Sequence, residues 1–250
     1  LTARVFLVGA GPGDPELLTV KAARLLAGAG IVLHDSLVDP RILAMSPHAE
    51  MIDVGKRCGK RSTAQAAINE LLIEVARTGR RVVRLKGGDP MIFGRATEEM
   101  EALEAAGIEY EVVAGMTAAA AAAASLKLSL TKRKIARSLH FITGHGAEGG
   151  LPVHDWAALA RAGGTFAVYM GGRTVGGLAA HFIEAGMAPE TPAVAVESAS
   201  LAGQRVWTGT VGNLPRLLDG EEVAGPLLLL IGQAMADVEA VVAAKAEARG

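Results

Sequence analysis

The sequence predicts an α/β protein of two lobes, each built on a mixed but mostly parallel sheet, and three observations carry that expectation. Short β-rich apolar runs alternate with helical stretches along almost the whole of the 250 residues, which is the pattern of repeated strand–helix–strand units. Glycine-rich turns follow two of the apolar runs, "GAGPGD" at 9–14 and "GGDP" at 87–90, where a backbone has to turn sharply or approach something closely. The register changes after residue 125, because "KLSLTKRKIARS" (127–138) is polar, basic and poor in helical periodicity. The expected organisation is an N-terminal lobe over 1–115, a connecting helix over 116–124 and a C-terminal lobe over 125–250. Ligands of such lobes bind beyond the carboxyl ends of strands or where domains meet, so the active site is expected in the interlobe cleft.

Element by element, the first lobe opens with a strand at 4–9 and an amphipathic helix at 16–28. Strands follow at 30–34 and 50–54, a helix at 63–78, a strand at 81–86, a helix at 96–107 and a strand at 109–113. The helix at 117–125 contains the run Ala118 to Ala124, whose small side chains suit a helix and close packing. In the second lobe strands are expected at 138–143, 164–170, 192–197, 204–210 and 226–232, with helices at 155–162, 174–186 and 212–219. The strands at 192–197 and 204–210 are separated by "SASLAGQ" and read as an antiparallel hairpin. The tail "MADVEAVVAAKAEARG" extends a helix or frays.

Composition narrows the classes. There are 25 basic and 26 acidic residues, for a net charge of −1, so a basic site has to be local. No apolar run approaches the roughly 18 residues of a bilayer-spanning helix, and residues 1–20 lack the pattern of a signal peptide. The one cysteine, Cys58, rules out an internal disulfide framework and fits a reducing compartment, so a cytoplasmic protein is expected. The histidines form no convincing metal set, and no nucleophile elbow or cysteine–base pair is present.

Four segments could carry chemistry. "GAGPGD" fits a dinucleotide fingerprint at Gly9 and Gly11, but Asp14 stands where the third glycine belongs. A structural turn and a ligand loop both remain open there, and Asp35 is only a weak match for a ribose-binding acid. "RLKGGDPMIFGR" (84–95) again turns a glycine-rich backbone outward from a strand end, and Asp89 could accept from an ammonium or a hydroxyl. "VGKRCGKRS" (54–62) carries Lys56, Arg57, Lys60 and Arg61, and the 127–138 segment carries Lys127, Lys132, Arg133, Lys134 and Arg137, neither with an acidic neighbour. A solvated basic loop explains either one. Two such loops in an acidic chain also suit a substrate with several phosphates or carboxylates, to which arginine binds in bidentate fashion. Nucleic acid would satisfy the charge pattern, but aromatic residues for stacking are scarce, at 4 %.

In their order and spacing, "VGAGPGDPELLTVKA", "VLHDSLV", "VGKRCGK", "INELL", "RVVRLKGGDPMIFGR", "VAGMTAA", "SLTKRKIARSLHFITGH", "VYMG" and "PLLLLIGQ" closely resemble the uroporphyrinogen-III C-methyltransferases of the tetrapyrrole methylase family, over about 4–235. The resemblance implies a two-lobed homodimer using S-adenosylmethionine, with S-adenosylhomocysteine as product. It implies methylation of uroporphyrinogen III at C-2 and C-7 to precorrin-2, for cobalamin or sirohaem synthesis, with no nucleic acid, membrane or metal involved. Cofactor contacts are then expected at Pro12, Gly87, Gly88, Asp89, Ile92, Thr117, Ala118, Met170 and Ala199. Asp35 and Lys56 take the acid–base roles, and Arg57, Lys132 and Arg133 hold substrate. The alternatives are a methyltransferase for a later precorrin and an RNA methyltransferase of the same fold. The chain departs from the family pattern at Ala114 and Ser129, where prolines are usual, at Lys132 for a histidine, and at Ala199 for a glycine.

Overall fold

The computed structural model describes residues 5–57, 63–146 and 149–247, apart from the side chains of 56–57, 63–64 and 243–247. Cys58, Lys60 and Arg61 of the first basic loop lie outside the described residues. The chain divides into two compact units, Leu1–Thr117 and Ala118–Gly250.

The first unit is built from β1 (Val5–Gly9), α1 (Val20–Ala27), β2 (Ile31–His34), α2 (Pro40–Leu43), β3 (Glu50–Asp53), α3 (Val54–Arg57), α4 (Thr63–Ala76), β4 (Val82–Lys86), α5 (Ala96–Ala105) and β5 (Tyr110–Val113). Its sheet has the order β3-β2-β4-β1-β5, and every pairing is parallel. β1, β2 and β4 are buried along their whole length. Helices on both faces of a parallel sheet demand this, and it explains why these strands read as continuous apolar runs. Phe6, Val8, Val32, Val83 and Leu85 pack with Leu25 and Leu26 of α1 and Ile42 of α2. On the other face Val5, Leu7, Ile31, Leu33 and Val82 meet Leu72 and Ala76 of α4 and Leu103 of α5.

The first helix starts later than 16 because its entry is a capped short turn. The Asp14 carboxylate accepts from the Glu16 N–H at 3.0 Å over a 3-10 turn at Pro15–Leu17. The Thr19 hydroxyl then caps α1 by accepting from the Ala22 N–H at 3.1 Å. Asp39 does the same for α2, with Pro40 at the first helical position. This explains what Asp14 does in place of a third fingerprint glycine: it is a helix cap.

The second unit contains α6 (Ala118–Leu126), β6 (Leu139–Thr143), α7 (Trp156–Ala162), β7 (Thr165–Tyr169), α8 (Val175–Glu184), β8 (Pro192–Glu197), β9 (Arg205–Thr210), α9 (Leu214–Leu218), β10 (Leu227–Ile231) and α10 (Val238–Glu247). Its sheet runs β6-β7-β10-β8-β9. Only β6 and β7 pair in parallel; the other pairings are antiparallel. The antiparallel content therefore exceeds the single hairpin expected, because β10 enters between β7 and β8 against both. Ala119, Ala122 and Leu126 of α6 and Val238 of α10 cover one face, with Val194, Val196, Leu228 and Leu230 beneath. Leu178 and Phe182 of α8 and Leu214 of α9 cover the other, over Phe166, Val168, Ala195 and Leu229. The alanine run is thus a packing helix: Ala119, Ala121, Ala122 and Ala123 are all buried. No helix among the described residues is long and apolar enough to cross a membrane.

Candidate active site

In the first unit the loops after β1, β4 and β5 meet at the carboxyl edge of the sheet. The Ala10 N–H donates to the Lys86 carbonyl at 2.7 Å, and Gly11 and Gly88 exchange N–H···O bonds of 3.1 and 2.8 Å. The contact is so close that a Cβ on Gly9 would lie 2.5 Å from the Gly115 Cα, and one on Gly115 would collide with the Gly88 carbonyl oxygen. Only glycine fits at these positions. Asp89 ties the loops together: its two oxygens accept from the Met91 N–H at 2.8 Å and the Gly115 N–H at 2.9 Å.

Gly87 and Gly88 differ from that packed pair, Gly9 and Gly115. No atom lies within 4 Å of where a side chain would begin at either, and Gly88 has φ +67°. Their backbone borders open space, as expected of a cradle for a ligand whose contact is with main chain. Beyond it, Phe93 and Arg95 hold left-handed conformations, φ 52° and 55°, in the segment containing Ile92. Such conformations in non-glycine residues persist only where surroundings impose them, and they cluster at ligand sites. Arg95 is clamped in a fork on Glu98, both bonds 2.7 Å. Pro12 stands in the loop bonded to Gly88, so Pro12, Gly87, Gly88 and Asp89 are brought together. Thr117 ends this unit.

Asp35 follows β2, one strand from that loop. Its N–H donates to the Leu85 carbonyl at 3.3 Å, which locks the turn against β4. The carboxylate is about one-third exposed and accepts from Arg84 Nη2 at 2.6 Å, while the Arg84 side chain is only 2 % exposed. Burial opposes the Arg84 charge, but the Asp35 and Glu99 carboxylates hold its pKa above the ordinary value. Arg84 Nε also donates to Glu99 Oε1 at 2.9 Å, and Lys86 Nζ reaches the same oxygen at 2.9 Å. Burial, then the neighbouring Arg84, press the Lys86 ammonium below its ordinary pKa, with Glu99 and Asp35 opposing. Arg84, Lys86 and Glu99 were not among the residues expected from sequence. The signal for Arg84 and Lys86 was charge where a doubly covered parallel strand should be apolar, at alternate positions 84 and 86; Glu99 left none.

α3 carries Lys56 and Arg57, whose side chains lie outside the described residues. Its backbone abuts the turn of Asp35: a Cβ on Gly55 would run into Ser36, and the Asp53 carboxylate accepts from both Ser36 Oγ at 3.0 Å and the Gly55 N–H at 2.9 Å.

In the second unit, Met170 follows β7 with φ 58° and is half exposed. It lines a cavity of about 500 Å³ with His145, Arg173, Glu221 and Leu227. Gly144 and Gly171 touch as Gly9 and Gly115 do. Ala118 begins α6, whose Ala119 N–H donates to the Tyr169 hydroxyl at 3.3 Å, and Ala199 is buried in the cluster beneath that helix. Lys132 is ion-paired with Asp237 at 2.7 Å, and Arg133 is exposed.

Residues 4–215 match the family profile of the tetrapyrrole (corrin/porphyrin) methylases. A uroporphyrinogen-III C-methyltransferase of Pseudomonas aeruginosa is 45 % identical over 238 residues, covering 95 % of this chain and 96 % of that one. A siroheme synthase of Pseudomonas fluorescens is 45 % identical over 233 residues, 93 % of this chain and 50 % of its own length. The chain thus spans about half the length of the siroheme synthases it matches. The crystal structure of uroporphyrin-III C-methyl transferase from Thermus thermophilus complexed with S-adenyl homocysteine is 41 % identical. It superposes with a TM-score of 0.80, covering 93 % of this chain and 99 % of that chain. With this agreement in sequence and in fold, the chain belongs to the tetrapyrrole methylases.

Proposed function

We propose that this chain catalyses S-adenosylmethionine-dependent C-methylation of uroporphyrinogen III at C-2 and C-7, giving precorrin-2 for sirohaem or cobalamin synthesis. The observation that carries the reading is the shared carboxyl edge of β2 and β4. There an open glycine backbone at 87–88 stands one strand from a carboxylate about one-third exposed and held by a buried arginine. The names of the relatives supply the reaction.

S-adenosylmethionine, when bound, supplies an electrophilic methyl group on a sulfonium. By the family likeness, Pro12, the Gly87–Asp89 backbone, Ile92, Thr117, Ala118, Met170 and Ala199 would hold it. The open space at Gly87 and Gly88 fits a ligand read by main chain. The chain's own contribution is then alignment of a pyrrole carbon with that methyl and removal of the proton the alkylated ring must lose. Asp35 accepts that proton. Lys56 donates a proton or holds a substrate carboxylate, and Arg57, Lys132 and Arg133 bind the acid side chains of the macrocycle. The family likeness supports a homodimeric, cytoplasmic enzyme, and sedimentation tests the first.

The decisive experiment is anaerobic incubation of the protein with S-adenosylmethionine and uroporphyrinogen III, followed by mass spectrometry. The expected product carries two added methyl groups. One or none, from folded protein that binds the cofactor, overturns the assignment.

A further inference from the structure

The mechanism proposed above uses Asp35 but leaves its buried supports without a task. Arg84 and Lys86 project from β4 toward α4 and α5, and Glu99 of α5 has no exposed surface. Glu99 Oε1 accepts from Arg84 Nε, from Lys86 Nζ and, at 3.5 Å, from Gln65 Nε2. The other end of the same guanidinium donates to Asp35 Oδ1. Packing alone would favour aliphatic side chains here, since replacing a buried ion cluster by apolar residues is often neutral or stabilising. The cluster reaches the surface at one group, the Asp35 carboxylate.

We propose that Glu99 is a positioning residue for methyl transfer: through Arg84 it fixes the direction and the charge balance of the Asp35 carboxylate, with Lys86 as the opposing charge. The inference rests on the reading of Asp35 as proton acceptor. A guanidinium is a rigid planar fork, so an Nε tied to Glu99 leaves Nη2 no freedom to swing. With Asp35 Oδ1 committed to Arg84, proton acceptance falls to Oδ2. The formal charges of Arg84, Lys86, Asp35 and Glu99 sum to zero. Among the described side chains, the other charged or titratable groups around Asp35 are Asp53, bonded to Ser36, and His34, whose Nδ1 donates to the Asp35 carbonyl at 3.1 Å; α3, which abuts the same turn, adds Lys56 and Arg57.

The charge arithmetic makes two substitutions act in opposite directions. Glu99→Gln leaves the cluster with one excess positive charge and makes Asp35 a weaker base. Lys86→Met leaves one excess negative charge and makes Asp35 harder to keep ionised. In the full chain, with uroporphyrinogen III and S-adenosylmethionine, Glu99→Gln should lower kcat by about tenfold or more and move the acid limb of kcat to lower pH. Lys86→Met should move that limb to higher pH. KM for the macrocycle and cofactor affinity should stay within about twofold in both, since neither residue contacts them. A merely structural role lowers activity evenly across pH and cannot displace the limb in both directions.

Added to Asp35→Asn, Glu99→Gln should cost little further, because residues acting through one another are not additive. If Glu99→Gln does not fold, Lys86→Met decides. An acid limb coincident with wild type in Lys86→Met, or in folded Glu99→Gln, overturns the proposal. Full additivity with Asp35→Asn overturns it too. Wild-type turnover by Asp35→Asn instead overturns the proton-acceptor reading, and the proposal with it. A wild-type chain that transfers no methyl overturns the proposed function itself.

Discussion

A carboxylate on a turn becomes a useful base only if something holds it still, and here that is Arg84. Asp35→Asn keeps the shape of the turn and removes proton acceptance. Turnover should fall by ~10²–10⁴-fold, the usual weight of general base catalysis, while cofactor affinity measured by calorimetry stays the same. Wild-type turnover would remove the assignment. Asp35 itself was reached through family likeness, since its spacing from the glycine turn suggested at most a weak ribose acid. Arg84 and Lys86 were missed because a charged residue in an otherwise apolar strand is normally read as an edge or surface position. Nothing in a linear pattern says that Glu99, thirteen residues beyond Lys86, returns over the same face of the sheet. Asp14 was misleading in the opposite sense: it breaks a nucleotide fingerprint for the local reason that a helix entry needs a cap.

At the scale of elements, the ten strands expected from apolar runs all exist, each within a residue of its expected ends. Burial on both faces makes such strands legible, because the apolar run ends where the backbone leaves the sheet. The short helices α2 and α3 were not expected; four residues are too few to show a 3.6-residue period. The pairing of β10 was equally hidden, since strand order depends on contacts distant in the chain.

Two glycine substitutions should separate the roles of the loops. Gly88→Ala places alanine in a left-handed conformation, costing ~1–2 kcal/mol, which is about 2–8 °C in Tm for a chain of this size. It should weaken cofactor binding more than that loss implies, because its methyl enters the open space. Gly115→Ala has backbone in its way and should lower Tm further, as thermal unfolding of the two variants side by side would show.

In the second sheet the Arg205 side-chain hydrogen bond holds the Glu197 carboxyl below its ordinary pKa of 4.5, against the opposing effect of burial, and the Gly225 N–H assists. A carboxylate whose pKa is depressed on folding stabilises the fold above the unfolded value, and that contribution is lost as pH falls through the folded value. Glu197→Gln should therefore lower Tm at pH 7 and flatten its decline below pH 4.5. An unchanged pH slope would count against the pair.

For the whole molecule, a net charge of −1 coexists with cationic segments at 54–57 and 127–137, so attraction for a polyanionic macrocycle is local and screened by salt. Raising ionic strength from about 0.01 to 0.15 M shortens the Debye length from roughly 30 to 8 Å. KM for uroporphyrinogen III should rise over that range while KM for S-adenosylmethionine changes little. Replacing Lys132 and Arg133 together by Ala should reproduce the rise at low salt and blunt its salt dependence. Equal effects on both constants would argue that these side chains do not meet substrate carboxylates.

The touching glycines at 9 and 115 also set the terms on which this scaffold can be redesigned. They are encoded far apart, yet they share a volume too small for even one methyl group. A codon change at one therefore finds no compensating change nearby, and mutagenesis aimed at new acceptors has to leave both untouched. The room for diversity lies at outward-facing Leu37 and Met91, where side chains can be exchanged without disturbing that joint.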